Sequence, residues 1–306
     1  MFATLPPPVR PGDRIGVAAL SGVVDPEKLE LGLAELGSLG FEPVLASNLL
    51  ARDGLFAGSD EERLRGLHDL ALDPSLSAIV FARGGHGALR LLPRIDWSAL
   101  AAVPRAYVGY SDLTPFLLQV VERLGLVAFH GPMIAADFAR GLSGDERESF
   151  LRTLAGEAPL TYPAQGVAGG SGEARGRLLG GCLSLLTATL GTPYATDFDG
   201  SLLFWEEVGE PLYRIDRMLT HLRLSGSLRA VRGAIIGRVR GIDEAADSPS
   251  DVPRRMAEHA PDVPVLWGVP AGHEAPNWTL PLGMPARIDG ESARLIVEEG
   301  ASARGE

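Results

Sequence analysis

The stretch VGYSDLTPF, residues 108–116, contains a change from a buried strand to a helix around which the rest of the sequence can be organised. The apolar run through Tyr107 and Val108 ends at Gly109. Pro115 lacks a backbone N–H and is tolerated only in the first turn of a helix, so the helix is expected to begin at about Asp112. This places Ser111 in the turn between strand and helix.

Short apolar strands alternate with amphipathic helices on both sides of this turn. Strands are predicted at 14–20, 41–46, 77–82, 105–110 and 126–130. Asp25 before Pro26 predicts one helix start, and Ser59 with Glu62 forms the pattern of a capping box at another. Alternating strands and helices predict an α/β fold, with a parallel sheet covered by helices on both faces. Such sheets bind ligands beyond the carboxyl ends of their strands.

The pattern changes near residue 160. Residues 161–176, TYPAQGVAGGSGEARG, are rich in Gly, Pro and small polar residues, which predicts a linker between two domains. We therefore expect an N-terminal domain over residues 1–160 and a C-terminal domain over residues 177–306. In the second, strands are expected at 201–206, 232–240, 264–268, 285–289 and 293–297, and helices near 181–190, 212–224 and 250–259. The tail ASARGE is expected to fray.

Composition narrows the classes of function. The 306 residues include 28 basic and 39 acidic side chains, a net charge of -11. Such a chain is not expected to bind nucleic acid or an anionic membrane through bulk charge. The single cysteine, Cys182, excludes an intramolecular disulfide and a multi-cysteine metal site, and its apolar helical surroundings indicate a buried residue. Without an apolar signal core or a long apolar segment, a cytoplasmic location is expected.

Ser111 has two interpretations at this point. A serine between a buried strand and a helix has the geometry of a nucleophile elbow, in which the N–H groups of the new helix can stabilise an oxyanion. The usual elbow sequence is G-x-S-x-G, and here Leu113 stands at the fifth position. A serine that only begins a helix fits the same segment.

Two of the six histidines lie in loops after predicted strands, where a catalytic base is usually carried. They are His86, in ARGGHGALRLL (82–92), and His273, in GVPAGHEAPNWTLPLG (268–283). His130 ends a predicted strand and could line a pocket or satisfy a turn. The other three lie in charged helical stretches typical of surface histidines: His68, His221 and His259.

The acid candidates are Glu206 and Glu207, which follow an apolar run, 202–205. Burying a carboxylate at the end of a strand costs free energy unless the carboxylate has a catalytic role or forms an ion pair. The alternative is that one glutamate is exposed while the other pairs with Arg214 or Arg217.

Seven segments, in order along nearly the whole chain, resemble the LD-carboxypeptidase family of serine peptidases, which includes the microcin-immunity peptidases. They are PGDRIGVAA, FARGGHGALRLL, VGYSDLT, FHGPM, RLLGGCLSLL, LLFWEEVGEPLYRIDRMLTHL, and GVPAGH followed by NWTLPLG. The resemblance implies an N-terminal α/β domain carrying a serine elbow and a smaller, mixed C-terminal domain with β-barrel character. It also implies a triad with Ser111 as nucleophile, Glu206 as acid and His273 as base.

Further site residues follow from the same resemblance. The RGG loop and the residue after the serine resemble the family's oxyanion hole, which implies the backbone N–H groups of Gly85 (or Gly84) and Asp112. Arg83, Gly84 and Trp278 are candidate substrate contacts. The chain departs from the family where Cys182 replaces a frequent asparagine, where Ala19-Leu20 stands in place of a frequent proline, and where His86 replaces a frequent tyrosine.

The activity implied is removal of the terminal D-alanine from cytoplasmic murein tetrapeptide, without metal or cofactor, by a homodimer. An alternative in the same chemistry is a self-immunity peptidase that cleaves an aminoacyl-nucleotide toxin, for which Trp278 could be an aromatic platform. A non-enzymatic binder that keeps the peptide cleft is a third hypothesis, and the intact Ser, Glu and His segments disfavour it. An α/β-hydrolase esterase is disfavoured by Leu113 in the elbow and by the early domain break.

Overall fold

The computed structural model describes residues 3–170, 172–241, 248 and 251–298. Within these residues the chain forms two compact units. The N-terminal unit consists of residues 3–157 and 278–281, and the C-terminal unit of residues 158–277 and 282–298. The tail predicted to fray, residues 301–306, lies outside the described residues.

The first half of the chain alternates strands with helices. The strands are β1 (Arg14–Ala18), β2 (Glu42–Leu45), β3 (Leu76–Phe81), β4 (Ala106–Gly109) and β5 (Ala128–His130). The helices are α1 (Pro26–Ser38), α2 (Asp60–Leu72), α3 (Ala88–Leu91), α4 (Trp97–Ala102), α5 (Thr114–Leu124) and α6 (Gly144–Leu154). Single 3₁₀ turns occur at Leu92–Arg94, Ser111–Leu113 and Phe138–Arg140.

The second half is richer in strands. They are β6 (Leu160–Pro163), β7 (Gly166–Gly169), β8 (Glu173–Cys182), β9 (Ser201–Val208), β10 (Gly233–Arg240), β11 (Pro264–Trp267), β12 (Leu280–Leu282), β13 (Pro285–Asp289) and β14 (Arg294–Val297). The helices are α7 (Leu183–Ala188), α8 (Leu212–Leu224) and α9 (Asp251–His259).

The helix starts and stops follow local sequence signals. The Asp25 side chain accepts hydrogen bonds from the backbone N–H groups of the first turn of α1. Ser59 and Glu62 form the predicted capping box at the start of α2, which satisfies two N–H groups that a helix start leaves free. Gly125 ends α5 in the left-handed conformation, as a glycine stop should. These three predictions are confirmed.

The first sheet has the strand order β12-β5-β4-β3-β1-β2. Pairings among β1 to β5 are parallel, which confirms the predicted parallel sheet. Its core includes Phe116 of α5, whose ring meets Phe81 and Tyr107 edge to face. Because parallel strands end at the same edge, the loops after β1, β3 and β4 lie together there.

The second sheet is mixed, with the order β6-β14-β13-β8-β9-β10-β11-β7. Its central strands β8, β9, β10 and β11 are parallel, and the outer pairings are antiparallel. Phe204 and Trp205 of β9 are fully buried. They anchor the strand that presents the two neighbouring glutamates at its end.

Within the segment predicted as a linker, residues 161–163, 166–169 and 173–176 instead take part in strands β6, β7 and β8 of this sheet. The glycine at position 176 allows β8 to pack closely against the neighbouring turn, because a Cβ there would lie 2.7 Å from the Gly200 carbonyl oxygen. Cys182 is buried as predicted, but it is the last residue of β8 rather than part of a helix. A helix cannot begin earlier because Gly180 and Gly181 have φ values of 142° and 154°, outside the helical region.

Candidate active site

Ser111 occupies a strained turn directly after β4. Its φ is 62°, and only one other non-glycine residue among those described, Ala293, has a positive φ. A side chain in the left-handed region costs about 1–2 kcal/mol, so the surrounding structure must hold it there. Strain at a serine between a strand and a helix is the geometry of the nucleophile elbow, and an ordinary helix start does not require it.

The loop after β3 approaches this serine at Gly84. A Cβ added to Gly84 would lie 2.8 Å from both Cβ and Oγ of Ser111 and 3.3 Å from the backbone nitrogen of Asp112. Only glycine permits this approach. The adjoining Gly85 has a φ of 118°, which turns the loop away from the strand direction. An oxyanion role for the N–H groups of Gly85 and Asp112 remains a prediction.

The Asp112 side chain connects the serine turn to the segments that follow β1 and β3. It is 1% exposed, and its Oδ2 accepts a hydrogen bond of 2.6 Å from Ser21 Oγ and one of 2.8 Å from the Ala88 backbone nitrogen. Ser21 follows β1 and Ala88 follows β3. The buried carboxylate therefore fixes the turn that carries Ser111 relative to the glycine loop.

The remaining predicted residues of the N-terminal unit have local contacts. Arg83 donates from Nη1 to the Val23 carbonyl and from Nε to the Gly84 carbonyl, both at 3.1 Å, so its guanidinium braces the glycine loop. The His86 ring lies 5.8 Å from that of Phe56. Trp278 lies two residues before β12 begins at Leu280. A substrate role for Arg83, Gly84 or Trp278 stays a prediction.

Two site residues of the C-terminal unit meet directly. His273 Nδ1 lies 2.6 Å from Glu206 Oε2. The Glu206 side chain is fully buried, whereas that of His273 is 16% exposed. A carboxylate at Nδ1 favours the proton on that nitrogen, so Nε2 is the nitrogen that can accept a proton in a reaction. The pair can therefore act as an oriented general base.

The loop that carries His273 is held by contacts that the sequence did not reveal. Gly272 has a φ of 137°, and a Cβ there would lie 2.9 Å from Glu206 Oε2. The Gly272 backbone nitrogen donates to Asn277 Oδ1 at 3.0 Å, and the Arg238 backbone nitrogen donates to the Ala271 carbonyl at 2.8 Å. Gly272 and Asn277 thus set the position of the imidazole. The only sequence signal was their place beside a candidate histidine.

Glu207 is also buried, but its hydrogen-bond partners differ from those of Glu206. It accepts hydrogen bonds from the backbone nitrogens of Ser184 at 2.7 Å and Val208 at 2.9 Å. Burial raises the pKa of the Glu207 carboxyl. The alternative in which one glutamate is exposed and the other pairs with Arg214 or Arg217 is wrong, since both are buried and Arg214 pairs with Glu210.

Cys182 lies beside the two glutamates. Its Sγ is 3.7 Å from Glu207 Oε1 and 3.2 Å from Ser184 Oγ. Burial first, and then the charges of Glu206 and Glu207, raise the pKa of the Cys182 thiol well above its usual value. A thiol that stays protonated is a poor nucleophile, which agrees with the prediction of a buried structural cysteine.

A cavity of about 240 Å³ adjoins the histidine loop within the C-terminal unit. Its lining includes Arg238, Trp267 and Glu274, the residue after His273. The cavity therefore combines an aromatic ring with one charge of each sign. None of these three residues was a candidate from the sequence, because nothing in the local pattern separates them from ordinary surface residues.

Two further findings concern the described residues. They contain no group of three or more His, Cys, Asp or Glu side chains arranged to hold a metal ion. Among the helices described, none has the length and apolar character needed to cross a membrane.

Comparison with known proteins agrees with the two-part organisation. Residues 15–131 match the LD-carboxypeptidase N-terminal domain, and residues 175–288 match the LD-carboxypeptidase C-terminal domain. A Streptomyces coelicolor relative is 38% identical over 304 residues, covering 97% of this chain and 96% of that protein. The chain belongs to the LD-carboxypeptidase family, and it is accordingly a hydrolase of the carboxypeptidase class.

The relatives with more specific names are of two kinds, murein peptide carboxypeptidases and a microcin self-immunity protein. The murein tetrapeptide carboxypeptidase of Pseudomonas aeruginosa is 32% identical over 303 residues, covering 92% of this chain and 94% of that protein. The structure of MccF in complex with glutamyl sulfamoyl guanosine has a TM-score of 0.89 at 25% identity, covering 98% of this chain and 99% of that one. MccF of Escherichia coli is named a microcin C7 self-immunity protein.

Proposed function

We propose that this chain is a serine carboxypeptidase that removes the terminal D-alanine from murein tetrapeptide. The nucleophile is Ser111 of the N-terminal unit, and the acid and base are Glu206 and His273 of the C-terminal unit. The observation that carries this proposal is the 2.6 Å hydrogen bond between His273 Nδ1 and the fully buried Glu206. The strained turn at Ser111 supports the assignment of the nucleophile.

The reaction proceeds in two acyl transfers. His273 Nε2 takes the hydroxyl proton of Ser111 while Oγ bonds to the carbonyl carbon before D-alanine. Glu206 stabilises the imidazolium that forms. The C–N bond then breaks, the imidazolium gives its proton to the leaving amine, and D-alanine departs. The imidazole then takes a proton from water, whose oxygen bonds to the ester carbonyl carbon. The bond to Ser111 Oγ breaks, the imidazolium returns its proton to Oγ, and the shortened peptide leaves.

The tetrahedral intermediate needs donors for its negative oxygen. The proposed donors are the backbone N–H groups of Gly85 and Asp112, and each such donor contributes roughly 3 kcal/mol in comparable enzymes. The contact of Gly84 with Ser111 supports a glycine loop placed for this purpose. Because Asp112 Oδ2 joins that loop to the serine turn, donors and nucleophile are held in one arrangement.

A murein peptide suits the cavity beside the histidine loop. The D-centre of meso-diaminopimelate carries an ammonium and a carboxylate, and Glu274 and Arg238 offer the complementary charges. The name of the Pseudomonas aeruginosa relative supports the same substrate class. The proposed setting is recycling of murein peptides in the cytoplasm by a homodimer, and light scattering of the purified protein tests the dimer.

A second candidate substrate is an aminoacyl nucleotide. The likeness to MccF bound to glutamyl sulfamoyl guanosine favours it. Trp267, in the lining of the 240 Å³ cavity, and Trp278, in the loop after His273, are candidate platforms for the base. The chemistry at Ser111 would be unchanged, since an amide bond is broken in both cases.

One assay separates the two substrates. Purified protein is incubated with L-Ala-γ-D-Glu-meso-diaminopimelyl-D-Ala and, in parallel, with glutamyl sulfamoyl adenosine, and the released amino acid is quantified. We expect D-alanine from the tetrapeptide at a kcat/KM at least about tenfold above that for the nucleotide. A higher kcat/KM for the nucleotide would contradict the murein substrate and support the aminoacyl nucleotide. Release from neither, at high enzyme concentration, rejects both.

A further inference from the structure

The C-terminal unit contains a second, larger cavity of about 480 Å³. Its charged lining consists of four arginines and two acids: Arg175, Arg177, Arg232, Arg287, Asp199 and Glu298. Arg175 and Arg177 are two residues apart on β8, so they lie on one face of the strand. Arg287 of β13 is the register partner of Arg175. The cavity therefore collects positive charge in a chain whose net charge is -11.

The acidic side chains neutralise only part of this positive charge. Glu298 bridges two arginines, with Oε1 2.7 Å from Arg287 Nε and Oε2 3.6 Å from Arg175 Nη1. Across the ranges that the structure describes, no carboxylate forms an ion pair with Arg177 or Arg232. Arg287 Nη1 also lies 3.5 Å from Asp289 Oδ2, so the unneutralised guanidinium charges of the lining are those of Arg177 and Arg232.

Arg177 and Arg232 approach the same turn. Arg177 is the register partner of Ser201, and the Arg232 backbone nitrogen donates to the Ser201 carbonyl at 2.8 Å. A Cβ added to Gly200 would lie 3.9 Å from Arg232 Nε. Gly200 has a φ of 73°, so this turn requires a residue that tolerates the left-handed region. The two unpaired guanidinium groups are thus set at one glycine turn.

Like charges placed near each other repel, so Arg177 and Arg232 at one turn are an unfavourable arrangement unless an anion binds between them. Guanidinium groups offer a planar fork of donors that matches phosphate oxygens. A phosphate monoester carries about two negative charges at neutral pH, which matches the two guanidinium charges of Arg177 and Arg232. The volume falls within the range of small-molecule sites. We propose that this cavity binds the phosphate group of a small phosphorylated compound.

The proposed site is separate from the catalytic residues. β9 begins beside the cavity at Ser201, and Glu206 follows five residues later, a distance of about 17 Å along an extended strand. The proposal therefore does not depend on the catalytic roles of Glu206 and His273.

Isothermal titration calorimetry of the full chain with inorganic pyrophosphate, at fixed ionic strength, tests the proposal. We expect one saturable site per chain. The double variant R177Q/R232Q should weaken binding by about tenfold or more, because two charge-assisted contacts are lost. R177K/R232K, which keeps the charges without the forks, should weaken it by an intermediate factor.

The matched control is R52Q/R65Q, which removes the same charge at exposed positions of the N-terminal unit. We expect its affinity to stay within about twofold of the unsubstituted protein. Equal weakening in both double variants, or no saturable binding by the unsubstituted protein, overturns the proposal. Citrate is the competing ligand: tighter binding of citrate than of pyrophosphate overturns the assignment to phosphate. If R177Q/R232Q does not fold, the single variant R232Q at an exposed position gives the same comparison.

Discussion

Glu206 and His273 are joined by a hydrogen bond of 2.6 Å although 67 residues separate them in the chain. One residue ends an apolar strand and the other lies in a loop after β11. Gly272 makes the contact possible, because a side chain there would collide with the Glu206 carboxylate. The Glu206 carboxylate is inaccessible to water, so the hydrogen bond to His273 compensates for its burial. The same hydrogen bond orients the imidazole.

Replacing Glu206 with glutamine should disable this base. The amide cannot stabilise the imidazolium, and it favours the wrong tautomer of His273. We expect kcat for D-alanine release to fall roughly 10³–10⁴-fold with little change in KM. Glu207→Gln, at the adjacent buried carboxyl, is the matched control and should retain activity within about tenfold. Equal losses in the two variants would remove Glu206 from the mechanism.

Gly84→Ala should impair catalysis without unfolding the protein. The new Cβ would lie 2.8 Å from Ser111 Cβ and Oγ, so the serine must leave its position. A misplacement of about 1 Å is enough to lower kcat by about 10²-fold. Gly37→Ala, at a glycine of α1 with open space around it, should leave kcat unchanged. Full activity of G84A would show that Ser111 tolerates the shift and that its placement is not critical.

The buried Asp112 carboxylate should contribute to stability. Asp112→Ala leaves the Ser21 hydroxyl and the Ala88 N–H without their acceptor, and we expect the free energy of unfolding to fall by about 2–4 kcal/mol. Ser21→Ala should cost about 1 kcal/mol. Urea denaturation of both single variants and the double variant measures this. Strictly additive losses would mean that the two side chains are not coupled.

Glu207 should make stability depend on pH. Because burial raises its pKa above the ordinary value of 4.5, the folded protein holds this proton to higher pH than the unfolded chain does. Between the two pKa values the folded state binds more protons, so its stability falls as pH rises through that window. Glu207→Gln removes the titration. We expect the stability of E207Q relative to the unsubstituted protein to be greater at about pH 8 than at about pH 4, measured by urea denaturation. An identical difference at both pH values would contradict this.

Local signals in the sequence predicted much of the fold. The caps at Asp25 and Ser59 and the stop at Gly125 depend on residues within one helical turn, so they could be recognised without knowledge of distant contacts. The turn at Ser111 was predicted from the end of the apolar run at Gly109 and from Pro115, which limits where the helix can begin. The strand–helix alternation then implied the parallel sheet.

Contacts between distant residues could not be predicted in this way. β7 is the sequence GVAG, which has the composition of a loop and becomes a strand only because it pairs with β11. The link from Ser21 to Asp112 spans 91 residues, and no local pattern signals it. The arginines of the 480 Å³ cavity are spread over β8, β13 and the residues before β10, so the charge cluster exists only in the folded protein.

The rate of D-alanine release by Ser111→Ala tests the central claim most directly. The substrate is the murein tetrapeptide, and the variant is compared with the unsubstituted protein after both are shown to have the same melting temperature. If the Ser111 hydroxyl forms the acyl-enzyme, kcat should fall by about 10⁴-fold or more. Turnover by S111A within about tenfold of the unsubstituted protein would contradict the account, because the acyl group would then be carried by another residue or by none.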